Sequence, residues 1–166
     1  MDNKTFTKNL EKLGETIFKM AFWLLRDTQL AKDIVQETYL RLWEHRLKYS
    51  TYTNLKQVAL KISSNLCIDQ DRRNKRWLFE NATEELSASS DNPLQKLEHK
   101  DTEKIITQTL ENLPESQKTV MYLRGIEQLS TKEIASVMSL SENNVRVTLS
   151  RARLAISVAI KKWNNE

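Results

Sequence analysis

Ser130–Arg153 reads STKEIASVMSLSENNVRVTLSRAR, and its caps and apolar steps decide how this part of the chain folds. Ser130 and Glu133 stand in capping-box spacing: the hydroxyl and the carboxylate each satisfy a backbone N–H at a helix start. Ile134, Ala135 and Met138 give the short helix that follows an apolar face. Ser139-Leu140-Ser141 breaks it, and Ser141 caps a second helix. There Val145, Leu149, Ala152, Ile156 and Ala159 step by four, three, four and three, which sets them on one inward stripe. Asn143, Arg146, Val147, Ser150 and Arg153 fall on another face. A short helix, a tight turn and a long basic helix make a helix-turn-helix, the geometry that lays a recognition helix in the major groove of DNA.

The side chains suit that role. Arginine pairs bidentately with guanine, asparagine with adenine, and valine meets the thymine methyl. Asn143, Asn144, Arg146, Val147 and Ser150 are therefore the expected base readers. Lys132 and Arg151, with Lys161 and Lys162 further on, suit phosphate, which fixes position without reading sequence. An ordinary hairpin with a solvated basic face is the plainer alternative. The cap, the turn length and the Asn-Asn-Val-Arg start together favour DNA.

Composition agrees with helices throughout. Only 2 glycines and 2 prolines occur in 166 residues, and 39% of residues are apolar. So few turn formers, without β-branched alternation, favour an all-α chain. Gly14 and Gly125 lie far apart, which excludes a Gly-rich phosphate loop. Formal net charge is +4. Residues 55–76 carry six Lys/Arg against two Asp, and residues 142–163 five against Glu142. Between them, residues 77–100 carry two Lys against five acids. Two basic helices with an acidic spacer suggest two contacts on one polyanion. Cys67 is the only cysteine, so no disulfide framework or thiolate metal site is expected. No apolar run has the length of a membrane span, and no signal peptide is read at the N-terminus, so a cytoplasmic location is expected.

Outward from the helix-turn-helix, further helices follow. Phe6, Leu10, Leu13, Ile17, Met20 or Ala21 and Leu24 recur at steps of three and four, a helix of about five turns. Asp27-Thr28-Gln29 breaks and recaps the chain. A second helix is expected from about Leu30 to Leu47, with Ile34, Val35, Tyr39, Leu42 and Trp43 apolar. Tyr49–Thr53 reads as a loop. A third helix is expected from about Leu55 to Arg76, with Leu55, Val58, Ala59, Ile62 and Leu66 inward. Glu80–Asn92 is polar and reads as a flexible linker. Asn92-Pro93 starts a fourth helix that reaches about Glu111. Pro114 opens a fifth that ends near Gly125, read as a left-handed C-cap. The expected organisation is two small helical domains, 1–79 and 93–166, joined by the 80–92 linker.

These stretches resemble one family. STKEIASVMSLSENNVRVTLSRAR and the preceding LENLPESQKTVMYLRGIEQLS resemble region 4 of bacterial sigma factors of the sigma-70 superfamily. AKDIVQETYLRLWEHR at Ala31–Arg46 and NLKQVALKISSNLCIDQDRRNKR at Asn54–Arg76 resemble region 2. With regions 2 and 4 and a short linker, the chain looks like the extracytoplasmic-function (ECF) group. The resemblance implies a protein without catalytic residues or cofactor, which binds core RNA polymerase and directs it to promoters.

It also implies residue roles. The helix with Asp33, Gln36, Glu37, Leu40 and Trp43 would dock on the clamp helices of the polymerase β′ subunit. Asp33, Gln36, Glu37 and Leu40 step along one face, acids and an amide beside an apolar anchor. Trp43 reads equally as core. The Tyr49–Asn54 loop would capture a flipped base of the minus-10 element, with Tyr52, Thr53 and Asn54 supplying a stacking plane and hydrogen bonds. Asn65, Asp69, Arg72, Arg73, Lys75 and Arg76 match the basic helix that holds promoter DNA, although Asp69 reads equally as a partner of Arg72 or Arg73. Trp77 reads equally as packed or DNA-facing. The β subunit, promoter DNA and an anti-sigma factor complete the implied partners. The family often has Gly in the region 4 turn where this chain has Ser139. A positive φ there costs a non-Gly residue about 1 kcal/mol.

Three other readings stand beside this one. A dimeric helix-turn-helix repressor accounts for Ser130–Ala159 but not for Ala31–Arg46 or the basic helix at 55–76. A helical adaptor would use both basic helices on a protein partner. An enzyme lacks support, because His45 and His99 have no local partners in metal spacing.

Overall fold

The computed structural model describes residues 2–81 and 99–165. All secondary structure among them is helical, as the composition implies. Most of the expected linker, and the expected helix start at Asn92-Pro93, lie outside the described residues.

α1 (Asn3–Leu25) begins at Asp2, whose carboxylate accepts from the Thr5 N–H, and ends at Arg26 in the left-handed region. Its Leu13, Ile17 and Met20 are fully buried, each worth roughly 1.5–3 kcal/mol of apolar transfer. Asp27 recaps the chain through the Leu30 N–H and opens α2 (Thr28–Glu44). A 3-10 turn follows at Arg46–Lys48. α3 runs from Tyr52 to Glu80.

Three expectations shift here. The second helix stops at Glu44 rather than near Leu47, and it buries Ala31, Ile34, Thr38 and Leu42. Trp43 is half-exposed against Phe6, with ring centroids 5.8 Å apart. The third helix is longer than expected at both ends, and it buries Leu60, Ser63, Ser64 and Cys67 besides Leu55 and Ala59. The expected loop shrinks accordingly. The Thr51 side chain caps the helix through the Asn54 N–H, so Tyr52, Thr53 and Asn54 form its first turn. Tyr49 is buried and stacks on Phe6. The sequence pattern hid the early start because serine, threonine and tyrosine fit a loop as well as a capped first turn.

α4 (His99–Asn112), α5 (Glu115–Gly125), α6 (Thr131–Met138) and α7 (Glu142–Asn164) complete the chain. The expected left-handed cap at Gly125 is not found: no glycine has positive φ, and Gly125 is the last residue of α5. Gln128 takes the left-handed conformation instead, with φ 55°. It turns the chain so that the Leu129 N–H reaches the Leu123 carbonyl at 3.0 Å and Leu129 is buried.

α1, α2 and α3 pack as one group, and α4, α5, α6 and α7 as another. The two groups also meet. α6 lies on α3, and α5 touches α1 and α3. Trp23 and Tyr122 pack with centroids 5.3 Å apart. Lys56 pairs with Glu127 at 2.9 Å, and Lys75 pairs with Glu115.

Candidate nucleic-acid interface and docking ridge

The helix-turn-helix is built as its sequence implies. The Ser130 N–H donates to Glu133 at 2.8 Å, and the Glu133 N–H donates to the Ser130 hydroxyl at 3.2 Å. The Ser130 backbone N–H first, and then its side chain, hold the Glu133 carboxyl below the usual carboxylate range. Ile134, Ala135 and Val137 of α6 are buried; Met138, expected inward, is half-buried. Ser139 has φ 55° and ψ 42°, the left-handed conformation that the turn demands. The Leu140 N–H reaches back to the Ala135 carbonyl at 3.0 Å and closes the end of α6. Ser141 then caps α7 through the Asn144 N–H at 3.1 Å.

Ser139 therefore carries strain that glycine would not. Ser139→Gly is expected to raise stability by up to about 1 kcal/mol, less the extra entropy of an unfolded glycine. Thermal unfolding of the two chains checks it; a lower melting temperature for the glycine chain would count against strain at this turn.

On α7, Val145, Leu149 and Ala152 are buried, while Ile156 and Ala159 are half-buried. Lys132, Asn143, Asn144, Arg146, Val147, Ser150, Arg151 and Arg153 are all exposed. One contact escaped the sequence reading: Arg146 pairs with Glu142 at 3.3 Å. An exposed i,i+4 pair is worth only about 0.3–0.5 kcal/mol, so Arg146 is oriented but free to leave.

On α3, Asn65, Asp69, Arg72 and Arg76 are exposed and share one face by their steps of four, three and four. Lys61 extends that face by one further turn and is also exposed. The same spacing pointed to it, and the sequence reading passed over it. Asp69 makes no ion pair among the described residues, so it is not paired with Arg72 or Arg73. Lys75 departs from the group. It faces Asp71, at 3.0 Å, and Glu115 of the other group of helices. Trp77 is exposed, which decides between its two readings against packing. Tyr52 is also exposed at the helix start.

On α2, Asp33, Gln36 and Leu40 are exposed and Glu37 is half-buried. Asp33 accepts from the Gln29 amide at 3.3 Å, and Glu37 holds Arg41 at 2.8 Å. Leu40 is 62% exposed and Leu47, in the 3-10 turn beyond, 90%. Leu47 was not singled out from sequence, although it stands four residues after Trp43. The Arg46 guanidinium lies 5.1 Å from the Trp43 ring centroid. That cation–π contact ties the 3-10 turn to the indole.

The geometry is thus a polar and apolar ridge on α2, a basic face on α3 and a basic recognition helix. Comparison with known proteins finds two family matches along the chain. Residues 10–77 match the family Sigma-70 region 2, and residues 103–156 match Sigma-70, region 4. The ECF RNA polymerase sigma-E factor of Haemophilus influenzae is 31% identical over 140 residues, which cover 78% of this chain and 74% of the relative. The ECF RNA polymerase sigma factor SigM of Bacillus subtilis is 24% identical over 160 residues, 90% of this chain and 91% of the relative. The fold is shared with the sigma factor RpoE of Bartonella quintana, solved in complex with the anti-sigma factor NepR. The TM-score is 0.70 at 22% identity, covering 95% of this chain and 98% of that one. On these grounds the chain belongs to the ECF group of the sigma-70 family, the factors that direct RNA polymerase to promoters.

Proposed function

We propose that the three exposed surfaces divide that task between them. The α2 ridge of Asp33, Gln36, Glu37, Leu40 and Trp43 docks on the β′ clamp helices. The start of α3 at Tyr52, Thr53 and Asn54 takes an unpaired minus-10 base, and Asn65, Arg72, Arg73, Lys75 and Arg76 hold the adjoining strand. α7 reads the minus-35 duplex through Asn143, Asn144, Arg146, Val147 and Ser150, with Arg153 on the same DNA-facing side and Lys132 and Arg151 on phosphate. Residues 1–79 and 93–166 serve as the two functional domains. The chain supplies recognition; the bond-making chemistry belongs to the core enzyme in the cytoplasm. An anti-sigma factor is the proposed regulator.

The observation that carries this reading is the solvent exposure of nearly every assigned side chain on helices whose opposite faces are buried. Stacking a base on an aromatic ring is worth about 1–3 kcal/mol, which offsets the few kcal/mol that unpairing costs. Tyr52 therefore stabilises the melted state without chemistry of its own.

Reconstitution with core polymerase on a promoter library tests the reading. Specific initiation is expected; none on any promoter, with a core shown active by another factor, would refute it. Within that assay Arg146→Ala is expected to relax minus-35 preference at one position, at a cost of about 1–3 kcal/mol. Arg151→Ala should instead weaken all sequences alike and lower the salt slope by about 1. Equal, sequence-independent losses in both would overturn the division between reading and gripping.

A further inference from the structure

Glu142 is the one acid on α7, and it is the first residue of that helix. A recognition helix brings the residues at its start to the base edges. Glu142, Arg146, Ser150 and Arg153 share a face by their steps of four, four and three, and all are exposed. Charge alone argues against an acid there, because DNA phosphates repel it. Capping does not explain it either. At α6 the Glu133 carboxylate turns back to take the Ser130 N–H. At α7 the Ser141 hydroxyl caps through the Asn144 N–H, and Glu142 turns forward to Arg146 instead. That contact is single: Arg146 Nη2 donates to Glu142 Oε2 at 3.3 Å. The rest of the guanidinium fork and the second carboxylate oxygen stay open to another partner.

We propose that Glu142 reads a cytosine in the base pair next to the guanine taken by Arg146, so that the ion pair acts as a two-base reader. The inference rests on the reading of α7 as the minus-35 helix. The spacing fits it. The two head groups stand 3.3 Å apart, and stacked base pairs about 3.4 Å. Arg146 can give two N–H groups to guanine O6 and N7 while the carboxylate accepts from cytosine N4 on the adjoining pair.

The groove edge decides the base. A carboxylate only accepts. Cytosine presents an amino donor, whereas guanine and thymine present carbonyl acceptors that repel it. Adenine presents an amino group beside the N7 acceptor and suits it less well. Each partner also keeps the other in place. Arg146 offsets the repulsion of Glu142 by phosphate. Glu142 holds the guanidinium at the base edge, away from phosphates that carry no sequence.

Holoenzyme reconstituted from the full chain and core polymerase, on promoters randomised through the minus-35 element, tests the proposal. The native chain should favour cytosine over guanine or thymine about ten-fold at one position. That position should adjoin the guanine that Arg146→Ala relaxes. Glu142→Gln supplies an amide that pairs bidentately with adenine, so the preference there should move from cytosine to adenine by about ten-fold. Glu142→Ala should accept all four bases there and loosen the guanine position about two-fold, as for the loss of an exposed ion pair. Both variants lose the same charge, so any general gain in affinity is common to them. Both should melt close to the native chain, because the Ser141 cap is kept. If Arg146→Ala relaxes its guanine while both folded Glu142 variants keep every native preference, Glu142 is only a charge at a helix start and the proposal is overturned. A shift at a position that does not adjoin the guanine would overturn the two-base reader as well. If none of the three changes moves any minus-35 preference, the reading of α7 beneath the proposal falls first.

Discussion

Leu40→Asp is expected to leave thermal unfolding nearly unchanged and to weaken binding to core polymerase by about 30-fold or more. The first half follows from exposure. Leu40 is 62% exposed, so its loss uncovers little apolar surface and leaves no cavity. The second half follows from what surrounds it. Asp33, Gln36 and Glu37 stand on the same helix face, a polar rim around one apolar anchor. Central anchors of that kind carry about 2 kcal/mol or more of binding energy, and a fresh carboxylate there would enter the interface unpaired. Trp43→Ala makes the instructive contrast. The indole touches Phe6 and lies under Arg46, so that change should lower stability and affinity together. Fluorescence anisotropy against core enzyme, beside a melting curve, separates the cases. Native affinity in Leu40→Asp would place the polymerase contact on another surface.

The helices were legible where one strong stripe meets one strong cap. α1 and the helix-turn-helix each have an uninterrupted apolar step and a side-chain N-cap. The positive φ of Ser139 came from the resemblance alone, since the family often has Gly at this turn, and the structure has it at 55°. Gly125 misled for the opposite reason. Glycine permits the left-handed region without requiring it, and the burial of Leu129 moved the turn to Gln128. The start of α3 was ambiguous because Thr51 and Thr53 suit a cap and a loop alike. Least legible was the contact between the two halves. Lys56, Lys75, Glu115 and Glu127 look like any exposed charges, and pairing at 40 or more residues' separation leaves no local periodicity. The proposed site was read more fully than the fold's seam. Surface residues at helical spacing declare their shared face, whereas Lys75 beside Arg76 shows that neighbours in a basic run can face different ways.

Gly14→Ala is expected to destabilise the chain by about 2 kcal/mol, although alanine is the better helix former. Gly14 lies inside α1, where alanine alone would add about 1 kcal/mol. The Tyr39 hydroxyl decides the outcome. It donates to the Leu10 carbonyl at 2.6 Å, and burial keeps the phenol protonated by raising its pKa. A Cβ on Gly14 would overlap that hydroxyl and stand 3.2 Å from the ring carbon bearing it. The ring must move, losing a hydrogen bond worth about 0.5–1.5 kcal/mol and adding overpacking of about 1–3 kcal/mol. A double-mutant cycle isolates the contact. Tyr39→Phe alone should cost about 1 kcal/mol, and Gly14→Ala/Tyr39→Phe should cost about 1 kcal/mol less than the two single changes added. Full recovery is not expected, since the ring carbon stays close. The consequence reaches function because Gly14 and Gln36 line one groove between α1 and α2. Displacing Tyr39 tilts α2, and with it the ridge that carries Leu40. Gly14→Ala should therefore bind polymerase more weakly at temperatures where it is fully folded, and the double variant should recover part of that loss. A Gly14→Ala chain as stable as the native one would show that Tyr39 does not set the spacing of these helices.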